Sequence, residues 1–216
     1  MKERTTKELI ETLGDDVKRC HAELIQVIDD GEVDSDGSVS ADYEYHARQL
    51  IRSILAYIEG VIFSVKVKSV ERCLAAGIKV SDHERYLAAE VDSDLNDKGE
   101  VVERSSKLRL TNNVRFAFRL LEKASRQSSR FDPSSEWWSC LRETVRVRDR
   151  LTHPRMPGDL DVSGDDIVKA LKAKAGFDEV LLTSKLKPNK TMQPTRLAAK
   201  PRRAVSARKR RSPRRG

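Results

Sequence analysis

The segment LIRSILAYIEGVIFSVKV, residues 50–67, is the most apolar stretch of the 216-residue chain. Its apolar residues recur every three or four positions, which is the period of an α-helix. They form two stripes that cover more than half of the helix circumference. The first stripe contains Leu50, Ile54, Ile58, Val61 and Val65, and the second contains Ile51, Leu55 and Ile62. We therefore predict a central helix over residues 41–76 with neighbours on both sides.

Three charged residues and one glycine in this stretch carry information of their own. Arg52, Glu59 and Lys66 interrupt the apolar run, so it does not predict a membrane span. Gly60 lowers helix stability where it stands, and we interpret it as a point of close approach by a neighbouring backbone. The polar N-terminal sequence lacks an apolar signal-peptide core. We expect a cytoplasmic protein with no membrane partner.

Apolar periodicity and capping residues predict an all-α bundle of about five to six helices. The other helices are expected at residues 6–28, 81–91, 111–127, 133–152 and 163–176. Gly176 is expected to end the last of them. The turn NDKG and its β-prone flanks predict a small hairpin or ordered loop between residues 91 and 111.

The basic charge of the chain is concentrated in residues 185–216. That segment holds thirteen of the 42 Lys and Arg residues and none of the 34 Asp and Glu residues, so residues 1–184 have 29 basic and 34 acidic residues, a net charge of about −5. The segment has no apolar period and is expected to be a disordered basic tail. It could bind nucleic acid nonspecifically, act as a nuclear-localisation signal, or be a translated genomic repeat without function.

Cys20, Cys73 and Cys140 are odd in number and form no CxxC pair. They predict neither a disulfide framework nor a zinc site, and they fit a reducing compartment. No cluster of metal ligands and no phosphate-binding glycine loop is present, so no metal and no cofactor is expected.

The segment RVRDRLTHPR, residues 146–155, contains one of only four histidines in the chain. On the predicted helix 133–152, Arg148 lies in the middle of the apolar face and therefore requires a partner or a polar pocket. That face contains Trp137, Leu141, Thr144, Val145, Leu151 and Thr152. Arg146 and Arg150 lie on other faces, as solvated charges do.

His153 directly precedes Pro154, and a residue before proline is disfavoured in α geometry, so the helix is expected to end there. On a straight helix Arg148 and His153 lie about 140° apart, so only this break lets them converge. The alternative is that both residues are cationic caps at the negative end of the helix dipole.

Within this segment, RDRLTHP resembles the active-site signature of the HEPN superfamily of all-α domains. The signature is an arginine, a following polar residue, and a histidine after four to six positions, near the end of a late helix. Arg148, Asp149 and His153 match it, whereas Arg146 is followed by the apolar Val147. The resemblance covers roughly residues 40–175, the expected core of a HEPN-like helical domain over residues 1–184.

The resemblance implies a metal-independent endoribonuclease of a toxin, phage-defence or stress system, with a composite site across a homodimer. Arg148, His153 and Asp149 would be catalytic. The expected nucleic-acid contacts are Arg146, Arg150, Arg208, Lys209, Arg210 and Arg211. The expected partners are RNA, a second copy of the chain, and an antitoxin or nucleotidyltransferase. The competing hypothesis is a non-catalytic binding or dimerisation module on the same fold, with nucleic-acid binding supplied by the basic tail.

Overall fold

The computed structural model describes residues 6–30, 40–106 and 108–184, and it confirms the all-α class with a small hairpin insertion. The six helices are α1 Thr6–Asp29, α2 Ala41–Ala75, α3 Asp82–Ala89, α4 Leu110–Ser125, α5 Glu136–Thr152 and α6 Gly164–Ser184. Strands β1 Val91–Leu95 and β2 Val101–Ser105 follow α3, and a 3-10 turn, Pro157–Leu160, follows α5. The predicted disorder of residues 185–216 lies outside the described residues.

The central helix α2 is confirmed, and it contacts all five other helices. Ser40 caps its first turn, where the Tyr43 N–H donates to the Ser40 hydroxyl at 3.1 Å. Both predicted stripes are buried, with the exception of the half-buried Val65. Because apolar burial contributes about 1.5–3 kcal/mol for each large aliphatic side chain, this helix contributes more to the hydrophobic core than any other helix.

Two glycines permit close packing between helices, and the structural role of each differs from the role that the sequence predicts. A Cβ at Gly60 would lie 2.6 Å from Leu13 Cδ1, so a side chain of α1, not a backbone, approaches α2 there. Gly176 does not end α6, which continues to Ser184. A Cβ at Gly176 would lie 2.2 Å from Trp137 Cβ, so this glycine makes room for α5 inside an unbroken helix.

The hairpin insertion is attached to the bundle by a buried ion pair. Strands β1 and β2 are antiparallel, with Val91 opposite Ser105. Lys66 of α2 is fully buried, and its Nζ lies 2.7 Å from Glu90 Oε1 at the end of α3. The Asn113 amide of α4 donates to the same oxygen at 2.7 Å. One carboxylate therefore joins α3 and the following hairpin to α2 and α4.

Within the described ranges, no helix is long and apolar enough to cross a membrane.

Candidate functional site

Helix α5, which carries the RVRDRLTHPR segment, is fixed at its start by aromatic packing. It begins at Glu136, three residues later than the predicted start at residue 133, because Asp132 accepts from the Ser134 N–H in the preceding turn. Trp137 and Trp138 are 9% and 1% exposed. Both tryptophans are therefore core residues, and their rings are not available as platforms for stacked bases.

The far end of α5 confirms the predicted break before Pro154. The helix ends at Thr152, and His153 takes a non-helical conformation with φ −128° and ψ 57°. The His153 N–H donates to the Asp149 carbonyl at 3.1 Å. From α2, Arg52 Nη2 donates to the Leu151 carbonyl at 3.3 Å. A cation of the central helix thus meets the negative end of α5, where the dipole favours it.

Arg148 faces α2, as its inward azimuth predicts, and it has the partner that such a position requires. Its Nη1 lies 3.2 Å from Glu59 Oε1, and its Nε lies 3.1 Å from Asp149 Oδ1. The Arg148 side chain is 29% exposed, whereas the Glu59 and Asp149 side chains are 45% and 63% exposed. The guanidinium is therefore held in one orientation at the rim of the helix interface.

The prediction that Arg148 lies in the middle of the buried face is wrong, because that face is rotated toward Val147. Val147 and Leu151 are buried, Val145 is half-buried and Thr152 is exposed. The rotation places Arg148 at the edge, where solvent and an anion can reach it.

His153 and Asp149 are both exposed. Five residues of helix rise separate Arg148 and His153 by about 7.5 Å along the α5 axis. No hydrogen bond joins the two side chains in the described part of the chain. Both residues therefore lie near the C-terminal end of α5, with Arg148 at the rim of the interface with α2 and His153 exposed.

Arg150 is not the solvated charge that the sequence predicts. Its guanidinium donates to the carbonyls of Asp159 and Asp161 and lies 3.2 Å from Asp166 Oδ2. The side chain therefore ties the end of α5 to the 3-10 turn and to the start of α6. Since these acceptors occupy its donors, Arg150 is a poorer candidate for nucleic-acid contact than its position in the arginine run indicates.

Arg146, by contrast, is a surface charge. Its side chain is 65% exposed and lies 2.5 Å from Glu143 one turn earlier. Exposed pairs of this kind contribute little to stability, so Arg146 is free to exchange its partner. The other predicted nucleic-acid contacts, Arg208, Lys209, Arg210 and Arg211, lie outside the described residues.

The segment that follows His153 is ordered by one carboxylate. The Arg155 and Met156 N–H groups donate to Asp159 Oδ2 at 2.7 and 3.1 Å. These backbone hydrogen bonds lower the pKa of Asp159, which therefore stays ionised at neutral pH. The loop beside the histidine is thus held by contacts that do not use His153 or Arg148.

Cysteine chemistry is disfavoured at this helix. Cys140 is 7% exposed, and burial raises the pKa of its thiol. A buried thiol with a raised pKa is a poor nucleophile. It also lies thirteen residues before His153, about 20 Å along the axis. No group of three or more His, Cys, Asp and Glu residues that could hold a metal occurs within the described ranges.

Sequence reasoning assigned no role in the site to Arg52 and noted Glu59 only as an acid within the central helix. They are seven positions apart on α2 and therefore lie on the same helix face. Two charged residues at this spacing in an otherwise apolar helix predict a polar strip beside a neighbouring helix. This spacing is the signal by which the sequence could have indicated both residues.

Comparison with protein-family models, with curated proteins and with solved structures finds no match to this chain. The arrangement itself has a definable chemistry. A part-buried guanidinium can bind a phosphate through two parallel hydrogen bonds, and an exposed imidazole can donate or accept a proton.

Proposed function

We propose that this protein is a metal-independent endoribonuclease of the HEPN type, with its site at the end of α5. The observation that carries the proposal is the position of Arg148. Its guanidinium is held toward α2 by Glu59 at 3.2 Å, at the rim of the interface, on the same helix end as the exposed His153. The RDRLTHP resemblance supplies the reaction type.

In the proposed mechanism Arg148 binds the scissile phosphate and offsets the charge that develops on its oxygens. His153 transfers a proton to or from the ribose 2′-hydroxyl or the leaving oxygen. Asp149 accepts from Arg148 Nε at 3.1 Å and therefore does not occupy the Nη groups. A phosphate must displace Glu59 from Nη1, and this costs little because ion pairs at such exposure contribute about 0–1 kcal/mol.

The first test incubates the full chain with a mixture of labelled RNAs in EDTA and compares it with Arg148→Ala and His153→Ala. Both variants should lose at least about 100-fold in cleavage rate, the usual contribution of a positioned acid or base. Arg142→Ala is the matched control, because Arg142 is an exposed arginine of the same helix outside the site. Equal cleavage by all four proteins would show a contaminating nuclease and would refute the proposal.

The proposed site is composite across a homodimer, and mixing experiments examine this. If Arg148 and His153 act from different protomers, re-equilibrated mixtures of the two inactive variants should recover about a quarter of the wild-type rate, since half of the dimers are mixed and have one intact site. If both residues act within one protomer, the mixture stays inactive. Sedimentation of the unmixed chain should show a dimer, and a monomer at assay concentrations would contradict a composite site.

One observation favours the alternative, a non-catalytic HEPN-like binding or dimerisation module. Arg148 already contacts two carboxylates, which is also what a structural ion pair at a helix end requires. This hypothesis expects no EDTA-resistant cleavage, together with a lower thermal midpoint in Arg148→Ala. An RNA, an antitoxin or a nucleotidyltransferase remains a proposed partner under either function.

A further inference from the structure

A separate cavity of about 240 Å³ lies among α1, α2, α4 and α6, away from the end of α5. One part of its lining is apolar and comes from all four helices. These residues are Ile10, Val61, Val65, Leu121 and Leu181. The lining positions on α2 run from Tyr57 to Arg72, about 22 Å along a straight helix, so the cavity follows the axis of α2.

Two serines of α2 also line this cavity. Ser64 and Ser69 are 4% and 1% exposed. Their hydroxyls are the neutral polar groups of the cavity wall, and each can donate a hydrogen bond to an oxygen of a bound molecule.

Two cations lie toward one end of the cavity, and both lack an acidic partner in the described part of the chain. Lys68 and Arg72 are exposed, are one turn apart on α2, and form no ion pair there. Most other lysines near the bundle surface are paired, for example Lys174 with Asp178 at 2.7 Å. The end of the cavity at Lys68 and Arg72 is therefore positively charged and has free donors.

The opposite end is aromatic, and the charges beside it are paired with each other, because Lys174 Nζ lies 4.8 Å from the centroid of the Tyr57 ring and 2.7 Å from Asp178 Oδ2. The Tyr57 hydroxyl donates to Asp178 Oδ1 at 2.9 Å, so Tyr57 presents its ring and not a free hydroxyl. Burial, together with the Asp178 charge, raises the pKa of Tyr57 to about 12 and keeps the phenol neutral. The cavity thus changes along α2 from an aromatic and aliphatic end to a cationic end.

We infer that this cavity binds a monomeric straight-chain carboxylate, with the alkyl chain among Val61, Val65 and the Tyr57 ring and the carboxylate at Lys68 and Arg72. The run of lining residues along α2 favours an unbranched chain. The two cations select an anionic head group, and the serine hydroxyls are placed to donate to its oxygens. The inference does not depend on the proposed ribonuclease activity, because none of its residues belongs to the site on α5.

Calorimetric titration of the full chain with hexanoate, octanoate, decanoate and dodecanoate, each below its micellar concentration, tests the inference. Affinity should rise about fourfold for each added methylene until the chain fills the cavity. Decanol should bind more weakly than decanoate, and decylamine more weakly still, because Lys68 and Arg72 repel an ammonium head.

Lys68→Gln and Arg72→Gln should each weaken decanoate binding about tenfold, the scale of one charge-assisted hydrogen bond, and leave decanol binding unchanged. Lys79→Gln and Arg142→Gln are the matched controls, because both residues are exposed and lie outside the cavity lining. Ser64→Leu, which fills the cavity, should weaken both ligands. If that variant fails to fold, the two charge variants still test the inference.

Three results would overturn the inference. They are the absence of binding across the series, decylamine binding equal to decanoate binding, and decanoate binding that Lys68→Gln and Arg72→Gln leave unaltered. The last result would assign the affinity to basic residues elsewhere in the chain.

Discussion

At the scale of single residues, the four arginines between positions 146 and 155 have different environments. The difference between Arg150 and Arg146 can be tested by substitution. Arg150 donates to two carbonyls and contacts Asp166, whereas Arg146 forms only an exposed pair. Arg150→Ala should lower the free energy of unfolding by about 2 kcal/mol, because hydrogen bonds to a charged group contribute about 1.5–3 kcal/mol. Urea denaturation measures the change.

Arg146→Ala is the matched control and should change the free energy of unfolding by less than about 0.5 kcal/mol. Equal losses in the two variants would show that the contacts of Arg150 do not stabilise the end of α5.

The same residues show how far the sequence predicts the candidate site. The inward azimuth of Arg148 and the helix end at His153 follow from local rules, namely the 3.6-residue period and the effect of Pro154. The contacts of Arg150 do not follow from local rules, because its acceptors are carbonyls of the 157–161 segment. The path of that segment depends on tertiary packing. The rotation of the buried face toward Val147 depends likewise on where α2 lies.

At the scale of elements, the attachment of α3 and the hairpin through Glu90 predicts a dependence of stability on pH. Burial of Glu90 opposes its ionisation, but the hydrogen bonds from Lys66 and Asn113 outweigh it, and the pKa of Glu90 falls below its ordinary value of 4.5. A carboxyl whose pKa is lowered by folding stabilises the fold above its unfolded pKa. The stabilisation disappears as pH falls through the folded pKa.

Glu90→Gln should therefore be destabilised by about 3 kcal/mol at pH 7, because Lys66 is left buried without a charged partner. The difference from the wild type should begin to shrink as the pH falls below about 4.5 and should disappear as the pH passes through the lower folded pKa, where wild-type Glu90 is itself protonated. Thermal unfolding between pH 3 and 7 measures both effects. Glu103→Gln, at an exposed position of β2, is the control, and a constant difference across this range would contradict the prediction.

The sequence predicts which helices exist, but it does not always predict where a helix begins or ends. Ser40 and the Ser81–Glu84 capping box fix the starts of α2 and α3, and the sequence is informative there because caps act locally. Gly176 was misinterpreted because a glycine that ends a helix and a glycine that admits Trp137 look the same in one sequence. Only the packing of α5 on α6 distinguishes them.

At the scale of the whole molecule, the chain combines an acidic helical part with a strongly basic C-terminal segment. Residues 185–216 carry thirteen positive charges and no negative ones, and residues 1–184 carry a net charge of about −5. The two parts therefore have opposite expected effects on RNA, since an acidic surface repels phosphates and a basic segment binds them with release of counterions. Affinity for RNA and specificity of cleavage should consequently be separable properties of this protein.

A chain restricted to residues 1–184 tests that separation. The logarithm of the affinity for a single-stranded RNA should fall with the logarithm of salt concentration more steeply in the full chain, by about 0.7 for each tail cation that contacts a phosphate. Fluorescence anisotropy between 50 and 300 mM salt measures both slopes, roughly the range over which such binding weakens. The sites at which RNA is cut should be the same in both proteins, because Arg148 and His153 remain. Equal salt slopes would assign nucleic-acid binding to the helical part, and altered cleavage sites would show that the basic segment takes part in selecting the substrate.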